Sequence, residues 1–116
     1  MEKKKRPKQL PGNSHRVETG CGHLYVIVNH DDSGPIEVFA PLGKAGGCSI
    51  CQNEALTRSI TLGLRYGIPV VEYIKQLKGI KCPSPYNVQG SDAVLSCADG
   101  IAKVLENESR NNSTNE

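Results

Sequence analysis

Hydrophobic and polar positions change period twice along the chain. Arg16-Val17-Glu18-Thr19 alternates weakly, a short strand by pattern, and stops at Gly20-Cys21-Gly22. Leu24-Tyr25-Val26-Ile27-Val28 is the clearest strand, rich in β-branched and aromatic residues. Asp31-Asp32-Ser33-Gly34 has turn composition, and Ile36-Glu37-Val38-Phe39 answers it, so a hairpin is expected over residues 23–41. Pro41 and the glycines at 43, 46 and 47 close this β part. The period then becomes helical. Over residues 48–66, Cys48, Cys51, Ala55, Leu62 and Tyr66 fall on one face, widened by Leu56, Ile60 and Leu64. Gly67 is placed to end that helix and Pro69 to open the next, where Val70, Ile74 and Leu77 recur at helical spacing over residues 69–78. Residues 80–95, with Cys82, Pro83 and Pro85, read as a loop. Ser96-x-x-Asp99 is a capping-box pattern opening a third helix over 97–106, with Ile101, Val104 and Leu105 facing inward. The expected class is α+β: a small antiparallel sheet packed against two or three helices.

The polar ends bound this unit. Residues 1–14 read as a disordered basic leader and 107–116 as a disordered Asn/Ser/Glu tail, leaving one domain over 15–106. A domain of that size buries only about 60–65% of its unfolded surface. With one Phe, four Tyr and no Trp its core is mostly aliphatic, so a metal cross-link would matter more than in a larger domain. The formal charge of +2 hides an asymmetry. The first ten residues hold five basic side chains against Glu2, and the rest of the chain is slightly acidic, which gives no basic face for specific nucleic-acid binding. No apolar run reaches the roughly 18 residues of a membrane span, and no signal-peptide core follows the basic start. A cytoplasmic location is expected, where five cysteines point to metal or redox chemistry ahead of disulfides.

Four cysteines stand at element ends. Cys21 precedes the main strand, Cys48 starts the first helix, Cys82 follows the second, and Cys97 starts the third. Such positions suit a tetrahedral thiolate site for zinc, with Cys51 and His23 as alternates; small buried thiols filling a light core are the plain alternative. Cys48-Ser49-Ile50-Cys51 also admits a redox pair at a helix N-terminus, although no βαβ unit precedes it. Gly43-Lys44-Ala45-Gly46-Gly47 lacks the order of a phosphate loop, yet Lys44, Gly46 and Gly47 at a helix start are candidates for an anion or nucleotide phosphate. His15, His23 and His30 are scattered, and no hydrolase constellation stands out.

Several ordered blocks resemble the TSCPD domain, a module of adenosylcobalamin-dependent ribonucleotide reductases that also occurs as short separate proteins. The blocks are Thr19-Gly20-Cys21-Gly22-His23-Leu24-Tyr25-Val26, Glu37-Val38-Phe39, Gly43 to Cys48, Gln76 to Pro83, and Ser96-Cys97-Ala98-Asp99-Gly100-Ile101 onward. They cover about residues 6–106. Where the family's name-giving motif has Thr-Ser-Cys-Pro-Asp, residues 95–99 read Leu-Ser-Cys-Ala-Asp, which removes a rigid proline from the third helix start. The resemblance singles out Cys21, Cys48, Cys82 and Cys97 and leaves Cys51 outside the motif. It implies a place in the thioredoxin-linked ribonucleotide reductase system, with a reductase chain as partner. Adenosylcobalamin would then enter only through that partner. The large catalytic barrel of such reductases does not fit in 116 residues, so these residues are expected not to reduce a nucleotide alone.

Overall fold

The computed structural model describes residues 2–43 and 47–114, with side chains as far as residue 110. Strands β1 (Gly12–Thr19), β2 (Gly22–Asp31) and β3 (Gly34–Phe39) form one antiparallel sheet in the order β1-β2-β3. Helices α1 (Gly47–Arg65), α2 (Val70–Leu77) and α3 (Cys97–Thr114) complete the expected α+β architecture. Pairing of Val17 with Leu24, His15 with Val26 and Asn13 with Val28 puts these six residues on one face of the sheet. Leu24, Val26 and Val28 are fully buried there, against Ile60 and Leu64 of α1, Ile74 of α2, and Ile101 and Leu105 of α3.

The β2–β3 turn forms as its composition indicates. Asp31 Oδ1 accepts the Ser33 N–H at 2.9 Å, and Gly34 takes a φ of 118° that other residues avoid. The ladder then slips by one. Asn29 pairs with Glu37 but His30 with Pro35, so Ile36 is the extra residue of a bulge. Consecutive Ile36, Glu37 and Val38 are buried as a result, which strict alternation would forbid. On the outer edge of β3, Thr61 of α1 accepts the Val38 N–H at 3.0 Å and donates to the Val38 carbonyl at 3.2 Å. That contact lays α1 along the edge and covers groups that would otherwise invite a further strand.

Three expectations change. First, the buried face of α1 is Asn53, Thr57, Ile60 and Leu64, whereas Cys48, Cys51, Ala55, Leu62 and Tyr66 are exposed. The inward stripe is half polar, because Thr57 returns its hydroxyl to the Asn53 carbonyl at 2.9 Å and can then be buried. Second, β1 starts at Gly12, inside the segment expected to be disordered. The residues before it lie across the fold: the Lys4 N–H donates to the Arg65 carbonyl at 2.8 Å, and Arg6 grips Glu37 through two bonds of 2.7 and 3.1 Å. Lys4 also pairs with Asp31 at 3.0 Å, so part of the basic run answers acidic groups of the body. Third, α3 continues past position 106 to Thr114. Its Glu108 carboxylate, almost fully buried, accepts from Asn13 at 2.9 and 3.2 Å and meets His15 Nε2 at 2.9 Å and His30 Nε2 at 3.8 Å. This polar contact closes β1 onto α3.

Candidate functional site: a four-thiol cleft

Cys21, Cys48, Cys82 and Cys97 line one cleft of about 240 Å³, together with Ser49, Gln52, Asn53, Ile80, Ser96 and Ala98. Each thiol arrives on a different segment. Cys21 sits in the β1–β2 turn, where its N–H donates to Thr19 Oγ1 at 3.1 Å and that hydroxyl donates to the Gly22 carbonyl at 2.9 Å. Gly20 lets this turn meet the loop that carries Cys82, since a Cβ there would stand 1.5 Å from the Ser84 carbonyl oxygen. Gly20→Ala is therefore expected to push that loop off the turn. We expect a loss of about 1–3 kcal/mol in urea unfolding and faster alkylation of Cys82. Wild-type rates for Cys82 would show that the close approach does not hold the cleft together.

The loop's other end is fastened through α3. Cys82 N–H donates to the Leu95 carbonyl at 2.9 Å, and Ser96 Oγ donates to the Ile80 carbonyl at 2.7 Å. Ser96 also accepts the Asp99 N–H at 3.0 Å, the N-cap bond indicated by Ser96-x-x-Asp99. Asp99 does not return to the Ser96 N–H as a capping box would. Its buried carboxylate accepts from Gly79 N–H at 2.8 Å and Leu95 N–H at 2.9 Å, and pairs with Lys103 at 2.7 Å. Burial alone would push this carboxyl up, but the bonds from Lys103, Leu95 and Gly79 outweigh it and hold the group below the usual carboxylate range. Asp99 thus joins the end of α2, the loop's last residues and the start of α3, and Cys82 and Cys97 keep their places. Gly100 lies inside the helix, where an added Cβ would meet Val17 and Val94 at 3.2 Å; the glycine lets α3 approach β1 closely.

Two of the four sulfurs accept a weak hydrogen bond and a third donates one. Ser49 Oγ donates toward Cys21 Sγ at 3.9 Å, and Ser84 N–H toward Cys82 Sγ at 3.4 Å. Cys97 Sγ donates to Thr19 Oγ1 at 3.9 Å. Asn53, only 6% exposed, also lines the cleft, and among the described residues its Nδ2 is a buried donor with no partner. An unmet buried donor costs about 1–3 kcal/mol. Sequence reasoning missed Asn53. The available signal was Ser49, Asn53, Thr57 and Thr61, small polar residues four apart on one helix face.

The remaining candidates lie elsewhere. Cys51 is exposed outside the cleft lining, its thiol donating to the Cys48 carbonyl at 3.2 Å. His23 points away because Leu24 points in, and it contacts Glu18 and Arg16 on the outer face. Lys44 and Gly46 lie outside the described residues, and Gly47 is the exposed first residue of α1. Among the described residues, no three His, Cys, Asp or Glu side chains stand in an arrangement that holds a metal ion as placed. No described helix is long and apolar enough to cross a membrane.

Fold and cleft together define a small α+β domain that gathers four thiols from four separate segments. The chain belongs to the TSCPD domain family, whose profile matches residues 1–109. It is similar to the vitamin B12-dependent ribonucleotide reductase of Agrobacterium fabrum, 29% identical over 105 residues, which is 90% of this chain and 8% of that protein. The enzyme of the same name from Bradyrhizobium diazoefficiens is 28% identical over 96 residues, 80% of this chain and 8% of the relative. That of Streptantibioticus cattleyicolor is 28% identical over 80 residues, 68% of this chain and 13% of the relative. The chain therefore spans a small fraction of the curated relatives it matches. No solved structure gives a significant match.

Proposed function

We propose that this chain is an accessory or detached module of the ribonucleotide reductase system, working in the cytoplasm with a reductase chain and not catalytic by itself. The family match over residues 1–109 carries this reading. Support comes from relatives that are B12-dependent reductases of which these residues correspond to about one-twelfth, so adenosylcobalamin and the nucleotide substrate would belong to the partner. Its working centre is the four-thiol cleft, read as a zinc site. Four sulfur side chains on one cleft are the donor type that suits zinc, which is what supports this part of the reading. Binding would require the cysteine side chains to rearrange from their present positions, in which no three of the described groups are placed to hold an ion.

The test is capture of the tagged protein from its native cells under reducing conditions, followed by reductase assays with and without the purified chain. A reductase recovered in near-stoichiometric amount, with changed activity or assembly on addition, is the expected result. A reductase that is present in the extract yet neither binds nor responds would overturn the proposal. Protection from unfolding by a nucleotide, without reductase binding, would then mark an independent binding module.

A further inference from the structure

The two edges of the sheet differ. At β3, Thr61 meets both the N–H and the carbonyl of Val38, so these groups face away from β2. Val28 and Val38 are therefore a pair that exchanges no hydrogen bonds, and Val28 turns its own N–H and carbonyl toward β1. Its partner there is Asn13, and alternation gives the ladder bonds of β1 to Asn13, His15, Val17 and Thr19. Two bonds at the ends of β2 obey the same alternation: His30 N–H donates to the Pro11 carbonyl, and Tyr25 N–H to the Pro41 carbonyl. Gly12, Ser14, Arg16 and Glu18 must then direct their N–H and carbonyl groups outward. Among the described residues, no backbone hydrogen bond outside the ladder reaches them. Such an edge is a template for another strand.

The side chains along this edge are complementary to themselves. Arg16 and Glu18 stand on the outer face, and half-buried Val17 lies between them on the inner face. Two β1 strands pairing antiparallel through their outward groups can centre on His15, Arg16 or Val17. Centred on Arg16, the two guanidinium groups would face each other; centred on His15, Arg16 would meet Ser14 and Glu18 would meet Gly12. Centred on Val17, each Arg16 lies directly opposite the other copy's Glu18, and the two Val17 side chains come together. Opposite charges across a ladder strengthen it and like charges weaken it, which selects the last register. Within one chain Arg16 already meets Glu18 at 2.9 Å, but both are more than a third exposed, so exchanging that contact for a cross-strand pair loses little.

We propose that β1 is an interface between two copies of this chain, paired antiparallel about Val17. Arg16 and Glu18 of each copy exchange backbone hydrogen bonds and ion pairs with Glu18 and Arg16 of the other, and the two three-stranded sheets become one continuous sheet.

The experiment follows the mass of the full chain by sedimentation under reducing conditions from about 1 μM to 1 mM, with backbone amide exchange measured by NMR at both ends of that range. Wild type is compared with Arg16→Glu, Glu18→Arg and the double exchange. Wild type should pass from 12.5 kDa to twice that mass as concentration rises. Exchange should slow at the Arg16 and Glu18 amides and not at Gly12. Either single exchange sets like charges opposite each other and should weaken association about 10–100-fold, while the double exchange restores it. Recovery in the double variant is a result that a misfolded single variant cannot mimic. A monomer throughout the range would overturn the proposal, and so would a dimer that ignores the single exchanges, is not restored by the double one, or protects Gly12. Arg16 and Glu18 amides protected only when a reductase chain is added would assign the edge to that partner and likewise overturn pairing with a second copy.

Discussion

Asp99→Ala is expected to cost about 3–5 kcal/mol, a large share of the stability of a domain this small. The carboxylate is fully buried, and its loss strands the N–H groups of Gly79 and Leu95 while leaving Lys103 with the Ala93 carbonyl but no counter-charge. Each stranded buried donor costs roughly 1–3 kcal/mol. Asp99→Asn separates charge from shape: it keeps one acceptor but turns an NH₂ group toward a backbone donor, so it should fall between wild type and alanine. Urea unfolding gives the ranking. Because the loop from α2 to α3 carries Cys82, the same variants should also expose that thiol to alkylation before global unfolding. An alanine variant within 1 kcal/mol of wild type would show that Asp99 is not the loop's anchor.

Glu108→Ala should destabilise by about 1–3 kcal/mol, since it removes the buried acceptor that Asn13 and His15 share between β1 and α3. Burial pushes the Glu108 carboxyl up, but hydrogen bonds from His15 and Asn13 and the charge of His30 outweigh it and lower it overall. A carboxylate whose folded pKa lies below its unfolded value, about 4.3 for glutamate, contributes stability that is complete above that value and is lost as pH falls through the folded pKa. Asp99 has the same sign. Unfolding free energy should thus be nearly independent of these two groups above about pH 5 and drop steeply below about pH 4. In Glu108→Gln the acid-side slope should be shallower than in wild type. An unchanged slope would remove Glu108 from the acid transition.

How much of this was legible in the chain depends on whether burial followed apolarity. β2 and the β2–β3 turn were, because Leu24, Val26 and Val28 alternate with more exposed neighbours and Gly34 marks the turn. The ends of α1 and α2 were too, where Gly67 and Gly79 take positive φ. The first half of β1 and the last turns of α3 were not. Strand register puts Asn13 and His15 on the inner face, but the partner that suits polar residues there, Glu108, lies 95 and 93 positions away, and no local window contains both partners. The buried stripe of α1 was hidden for a related reason: Asn53 and Thr57 are polar, and the exposed face carries Cys51, Leu62 and Tyr66. At the cleft, motif blocks and element ends singled out Cys21, Cys48, Cys82 and Cys97, and all four line it, but among the described residues no three of them are grouped to hold a metal ion. Asn53 was not read, although Ser49, Asn53, Thr57 and Thr61 recur every fourth residue, because a polar stripe on a helix is ordinarily its solvent face.

The contact between β1 and Glu108 also sets a timetable for synthesis. Ribosomes add about 5–20 residues per second, so position 108 follows position 13 after on the order of 5–20 s. Throughout that interval the β1–β2 hairpin can form, but the inner ends of Asn13 and His15 face solvent where their final partner will dock. The nascent sheet therefore keeps a wet, unsealed rim until the last helix emerges. Final closure is a late, long-range step, the kind that slows folding and leaves an unfinished chain open to chaperones and proteases.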